Sequence, residues 1–258
     1  MNFKRVAILF ACITFLLYFS LILSLFYFFN APLFIETLFS ERTLYSVRLS
    51  LMAASISTLF AAVVGIPTAY ALSRYEFRGK TLVDTLLELP MIVSPAAMGA
   101  MLLIFFSTPP GRAIQENGVQ FIFTFYGIIA AQFLTITGVS VRLMKAALDD
   151  IPKRFEDVAR SLGASHFRAF FSITLPLSRN GLIASLILTW AKAMGEFGAT
   201  ITVAGSMALK TETIPIAIYM RLSSADIEET VVLIFILLTI GLGILYCVRF
   251  LTRRSFHA

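Results

Sequence analysis

The side chains of this chain that could do chemistry are scattered rather than assembled. His166 and His257 stand far apart, without companions at metal-ligand spacing. Cys12 and Cys247 fall inside apolar runs, where a thiol packs as a small hydrophobe. Gly79-Lys80-Thr81 has the ending of a phosphate-binding loop, but the loop's first glycine would fall at Arg74 and no apolar strand precedes it, so no phosphate cradle is expected. No serine, histidine or paired acid makes a recognisable catalytic set, and no metal site is expected. Two charges stand out. Lys192 and Glu196 lie a helical turn apart in an apolar run containing Gly195-Glu196-Phe197-Gly198-Ala199-Thr200. A charge in hydrocarbon costs roughly 2.5–3.5 kcal/mol on insertion scales, so both are expected to face a bundle interior, as an internal ion pair or as hydrogen-bond partners of neighbouring helices. Gly195, Gly198 and Ala199 would let another helix approach closely.

The most patterned polar stretch is Asp157-Val158-Ala159-x3-Gly163, followed ten residues later by Ile173-x-Leu175-Pro176. Ile151, Phe155, Val158, Ala159 and Leu162 recur at helical spacing and predict a short amphipathic helix. Pro152 suits its first turn, with Asp149 or Asp150 as its cap. Gly163 suits the left-handed residue that ends it, Ser165 the cap of a second helix, and Pro176 the stop of that one. The expectation is a helix-turn-helix elbow with an exposed apolar face, which could dock on a partner or lie on lipid headgroups.

The elements that position this elbow are read from hydropathy. With 58% hydrophobic residues, 14% charged residues and a mean hydropathy of +0.86, a soluble domain is excluded. Six stretches are long and apolar enough to cross a bilayer as helices: 6–29, 46–73, 85–107, 122–144, 178–205 and 229–250. The first follows Lys4 and Arg5 but is too long for a cleavable signal and is expected to stay as an anchor. In the third, Glu88-Leu89-Pro90-Met91-Ile92-Val93-Ser94-Pro95 puts two prolines around a serine. This is either a packing kink or backbone opened toward a wet pathway.

Threading these spans with the amino terminus inside leaves 15 cations on inner segments against 5 outside (Arg42, Arg48, Arg112, Lys210 and Arg221), with Lys192 within a span. The positive-inside rule then places both termini and the elbow in the cytoplasm. The net charge of +6 is spread along inner membrane edges rather than gathered on one face, so nucleic acid is not an expected partner.

The elbow spacing resembles the EAA motif of ABC importer permeases, Glu-Ala-Ala-x3-Gly-x9-Ile-x-Leu-Pro, the cytoplasmic coupling loop that docks into a groove of the ATPase subunit. Gly163, Ile173, Leu175 and Pro176 match; Asp157 and Val158 stand where the family usually has Glu and Ala. The Gly195 to Thr200 run, Ala204-Gly205, Thr211-Glu212-Thr213-Ile214-Pro215 with Ile218-Tyr219, Leu89-Pro90 with Ser94-Pro95 and Gly99, and Phe123-Thr124-Phe125-Tyr126-Gly127 look like permeases for molybdate, tungstate and, more distantly, sulfate.

The resemblance implies an all-α integral membrane protein of the type I ABC importer permease fold, with six transmembrane helices and a cytoplasmic coupling loop. The implied units are residues 1–45 (first helix and external loop), 46–250 (permease domain, holding the coupling loop 147–177) and 251–258 (cytoplasmic tail). It implies ATPase coupling through Phe155, Asp157, Ala159, Gly163, Ile173, Leu175 and Pro176. A pathway or gate is expected at Ser94, Pro95, Glu196, Phe197, Thr200 and Thr202, with Glu196 repelling an anion rather than coordinating it. The implied assembly is a homodimer in a prokaryotic plasma membrane, with two ABC ATPase subunits that bind ATP and Mg, and an extracytoplasmic oxyanion-binding protein. The alternatives are a sulfate or thiosulfate permease and a stand-alone secondary transporter.

Overall fold

The computed structural model describes residues 3–253; the end of the tail, with Arg254 and His257, lies outside them. Among the described residues the regular structure is all helical. Helix α1 (Phe3–Leu25) buries no residue; the turn after it is pinned where the rings of Phe26 and Phe29 meet Phe235 edge-on at 5.1 and 5.7 Å. After the short α2 (Ala31–Leu38) comes α3 (Glu41–Arg74), started by the Ser40 side chain accepting from the Thr43 amide.

The buried face of α3 is a file of small residues: Ala53, Ala54, Ser57, Ala61, Ala62, Gly65 and Ala69. Lipid tails give helices little hydrophobic reason to associate, so close approach over small residues supplies the packing. Helix α8 (Phe125–Asp149) lies along this file. Ser57 donates to Gln132 Oε1 at 3.2 Å and Ser73 to Asp149 Oδ1 at 2.5 Å. The near-constant offset between these pairs makes α3 and α8 parallel neighbours. The chain between them must therefore return through the whole thickness of the bundle.

That return is α4 (Lys80–Leu86), α5 (Leu89–Ile92) and α6 (Pro95–Ser107), and it differs from the single span expected over 85–107. The segments Lys80–Ile92 and Pro95–Ser107 meet at 116°. The residue before a proline is pushed out of the helical region, and Ser94, before Pro95, is extended at ψ 147. Its hydroxyl then caps α6 by accepting from the Ala97 amide at 3.3 Å. Helix α7 (Pro109–Asn117) crosses to the start of α8.

The expected span 178–205 is also shifted and broken. After α9 (Arg154–Ser161), the helix α10 (His166–Ala169), a π-helical turn at Phe170–Thr174 and α11 (Leu175–Met194) run on as one 29-residue helix, His166–Met194. Proline 176 does not stop it. A proline lacks an amide donor and crowds the carbonyl one turn back, and the π-turn widens the helix just there. The helix ends instead before Gly195, and α12 (Gly198–Ala204) restarts after Phe197. Lys192 and Glu196 are thus not a turn apart on one helix.

Helices α13 (Ile214–Ser223) and α14 (Ile227–Arg253) complete the chain. Among the described residues five helices are long and apolar enough to cross a membrane, and six crossings result when the bent pair is taken as one. The main core gathers Ala54 and Ala61 of α3, Ile136 of α8, Ala193 and Met194 of α11, Ile214 and Ala217 of α13, and Val232, Leu233 and Ile236 of α14.

Candidate functional site

Two sites stand on this frame, one at an end of the bundle and one within it. The elbow is α9, a tight turn and α10. Gly163 takes φ +91, and the turn closes with Gly163 N–H donating to the Arg160 carbonyl (2.9 Å) and Ala164 N–H to the Ala159 carbonyl (3.0 Å). This paired pattern ends a helix without leaving its carbonyls bare. Ser165 caps α10 by accepting from the Arg168 amide at 3.2 Å. The expected Asp149 or Asp150 cap of α9 is absent. Asp149 closes α8 and accepts from Ser73 and Lys145, while Lys153 precedes α9 with no side-chain cap.

An apolar face looks outward from the elbow: Val158, Leu162 and Phe167 are 60, 84 and 74% exposed, and Phe155 and Phe171 stand beside them. Ala159 and Ile173 are half-buried beneath it. Asp157 is exposed and approaches only Arg160 among the described residues, at 3.8 Å. It is therefore free for a partner.

The residue that fixes the elbow to the bundle is its neighbour, Glu156, which sequence reasoning did not single out. Its Oε1 accepts from Arg74 Nε at 2.7 Å and Thr174 Oγ1 at 2.6 Å, and its Oε2 accepts from the Tyr70 hydroxyl at 2.8 Å. Arg74 also donates to the Leu148 and Ile151 carbonyls, both at 2.9 Å. One carboxylate so ties α9 to the end of α3 and to the π-turn, and its arginine ties both to the end of α8. Burial pushes the Glu156 carboxyl up, but hydrogen bonds from Thr174, Tyr70 and Arg74 outweigh it and hold the pKa below the usual carboxylate value. The readable signal was the helix face: Glu156 lies off the outward stripe of Phe155, Val158 and Leu162.

Deeper in the bundle, the two chain breaks meet. A Cβ on Gly198 would come within 3.0 Å of Pro95 Cβ and Ala96 N, and one on Gly99 within 2.8–2.9 Å of Thr202 and the Ala199 backbone. The half-helices α6 and α12 hence start together and run side by side in the same direction. Glu196, 5% exposed, has no lysine partner among the described residues; its Oε1 accepts from the Ala199 amide at 2.8 Å and steadies the first turn of α12. Phe197 packs on Tyr219, ring centroids 4.9 Å apart. Ser94 and Pro95 are exposed, Thr202 donates to the Gly198 carbonyl, and Thr200 is sealed with its hydroxyl unpartnered among the described residues. The residues expected to line a pathway thus sit about the packed junction of α6 and α12.

Residues 61–256 match the family model described as binding-protein-dependent transport system inner membrane component. The chain belongs to that family. As a permease subunit of an ABC transporter, it is 36% identical to the molybdenum transport system permease protein ModB of Haemophilus influenzae, over 71% of this chain and 82% of that one. It is 31% identical to the molybdate/tungstate transport system permease protein WtpB of Pyrococcus furiosus, over 86 and 84%. The sulfate transport system permease protein CysT of Salmonella typhimurium is 31% identical, over 80 and 76%. The permease also superposes on a chain of a bacterial alginate ABC transporter in complex with its alginate-bound periplasmic protein (TM-score 0.76, 18% identity, 99 and 97% covered). The three sequence relatives are each named as a permease protein of a transport system.

At the permease end away from the elbow, Arg42 grips the fully buried Glu212 with two bonds of 2.6 Å. Ser50 accepts from the Ile214 amide at 2.8 Å. The loop after α12 is thereby locked to the start of α3.

Proposed function

We propose that this permease imports molybdate or tungstate by alternating access, driven by separate ATPase subunits. The observation that carries the coupling is the elbow. A hydrophobic face projects from the bundle and is welded through Glu156 to α3, so force applied there reaches a spanning helix. A pair of copies would enclose one pathway, with an ATPase below each elbow and a binding protein at the opposite mouth. The excess of cations at the elbow end supports placing that end, and both termini, in the cytoplasm. ATP binding closes the motor pair and favours the outward-open form; hydrolysis resets it, as any population shift by differential affinity requires. Opening parts the seam between α6 and α12 and uncovers the buried Thr200 hydroxyl beside Ser94 and Thr202, which pass a dianion without trapping it.

The test is uptake by proteoliposomes holding this chain, its ATPase and its binding protein, with molybdate, tungstate and sulfate in competition. ATP-dependent uptake blocked by tungstate and little affected by sulfate is expected. The likeness to a sulfate permease favours sulfate as the second reading, and preference for it would replace the substrate named here. Uptake without ATPase subunits would overturn the mechanism in favour of a secondary transporter.

A further inference from the structure

Resting on that reading, we propose that Lys192 supplies the positive charge of the anion pathway near its outer mouth. Lys192 lies in the last turn of α11 and is exposed, and among the described residues it has no ion-pair or hydrogen-bond partner. Its level is fixed by Trp190, whose indole donates to Ser55 at 3.2 Å. Ser55 is seven residues along α3 from Arg48, about 10 Å of helix, and nineteen from Arg74. The ammonium is thus inside the apolar stretch, toward the end away from the elbow.

A lone ammonium at this depth does not face hydrocarbon when another surface is open to it. The helix offers two flanks. Trp190, Leu186 and Ile187 border an apolar groove with Leu59 of α3 and Ile244 of α14, the flank suited to lipid. Two residues along a helix turn the side chain by about 200°, so Lys192 points away from that groove. It continues the stripe of Leu177, Ala184 and Leu188, all exposed, on the side where Gly181 packs against Ala147 of α8. Immediately beyond it the helix breaks, and the break rests on Pro95 at the start of α6. The 13-residue α6 adds the positive end of its dipole at the same seam. A tetrahedral dianion entering there meets an unpaired ammonium that can attract it and, having no fixed partner geometry, release it.

The experiment places cysteine at 192 in a C12S/C247S background and treats the transporter in membranes with bilayer-impermeant methanethiosulfonates. K192C is expected to react from water with the bilayer-impermeant reagents. Molybdate uptake by K192M is expected to fall at least tenfold with ATPase assembly intact, K192R to keep it, and K192C to regain it when aminoethylated but not when sulfonatoethylated. A thiol at 192 that no aqueous reagent reaches in either nucleotide state, or uptake by K192M equal to that of the parent, overturns the assignment. If K192C does not insert, K192R against K192M decides by uptake. Labelling needs no transport, so aqueous reaction at 192 alongside ATPase-independent uptake would sink the proposed function and leave Lys192 in its pathway.

Discussion

Arg74 and Glu156, 82 positions apart in the chain, meet at 2.7 Å with side chains only 5 and 9% exposed, and this pair joins the elbow to α3. Removing one partner of a buried pair leaves an uncompensated charge at a cost of about 3–5 kcal/mol. R74A is therefore expected to loosen the elbow and lower the thermal midpoint of the purified protein, while the charge-swapped R74E/E156R recovers part of the loss. Hydrogen exchange of residues 154–165 is the measurement.

The same carboxylate gives the elbow a pH dependence. The folded pKa of Glu156 lies below its ordinary value of 4.5. Its contribution is thus fully present above pH about 4.5 and is lost as pH falls through the depressed value. Protection of the elbow amides is expected to drop across that acid window in the parent protein. E156Q, which cannot titrate there, should show a lower but flat profile.

At Gly163 the surroundings are open, since a Cβ would meet nothing within 4 Å, and the constraint is the backbone at φ +91. A left-handed residue with a Cβ costs roughly 1–2 kcal/mol, and a β-branched one more. G163V is expected to insert normally but hydrolyse ATP without proportionate uptake, whereas G163N, which tolerates this conformation, stays coupled. The ratio of transported anion to ATP hydrolysed decides.

The outward face of the elbow should behave as an interface. Burying a leucine side chain contributes about 1.5–3 kcal/mol, so L162D is expected to weaken ATPase assembly at least tenfold in a pull-down titration. At Asp157 the Glu variant is expected to assemble normally and the Lys variant poorly.

At the seam, Gly99 leaves no room for a side chain against the Ala199 backbone. G99V is expected to pry α6 from α12, and the change is read as faster labelling of a cysteine placed at Thr200. If position 200 stays as sealed in G99V as in the parent, the packing described here is wrong.

The elbow was legible in the sequence because its determinants are local: Gly163 for the left-handed turn, Ser165 for the cap, an apolar stripe at helical spacing. The anchoring of that elbow was not. Glu156 is defined by Tyr70 and Arg74, far away in the chain, and its place off the outward stripe of α9 does not by itself tell a buried carboxylate from an exposed one. Pro176 illustrates a local rule overridden, since a π-turn absorbed the proline and the helix ran on. The break at Gly195–Phe197 was hidden because averaging hydropathy across it blends two apolar half-helices into one. Its bracketing glycines were read as packing sites; Gly198 does pack against Pro95, whereas Gly195 is exposed and meets only carbonyls of its own helix. The 116° bend was legible only as a possibility, because two prolines announce a kink but not its angle.

Gly138 has a less obvious consequence. A Cβ there would overlap the Leu87 carbonyl oxygen, so the limb formed by α4 and α5 sits directly on the α8 backbone. An ion pair between Glu88 and Arg142, one turn further along α8, pins the same spot. Sliding is thereby denied to this limb, and pivoting is the freedom left. The third crossing would work like a door leaf hung on α8, its free edge at Pro95 swinging against the seam whenever the lever below is pulled.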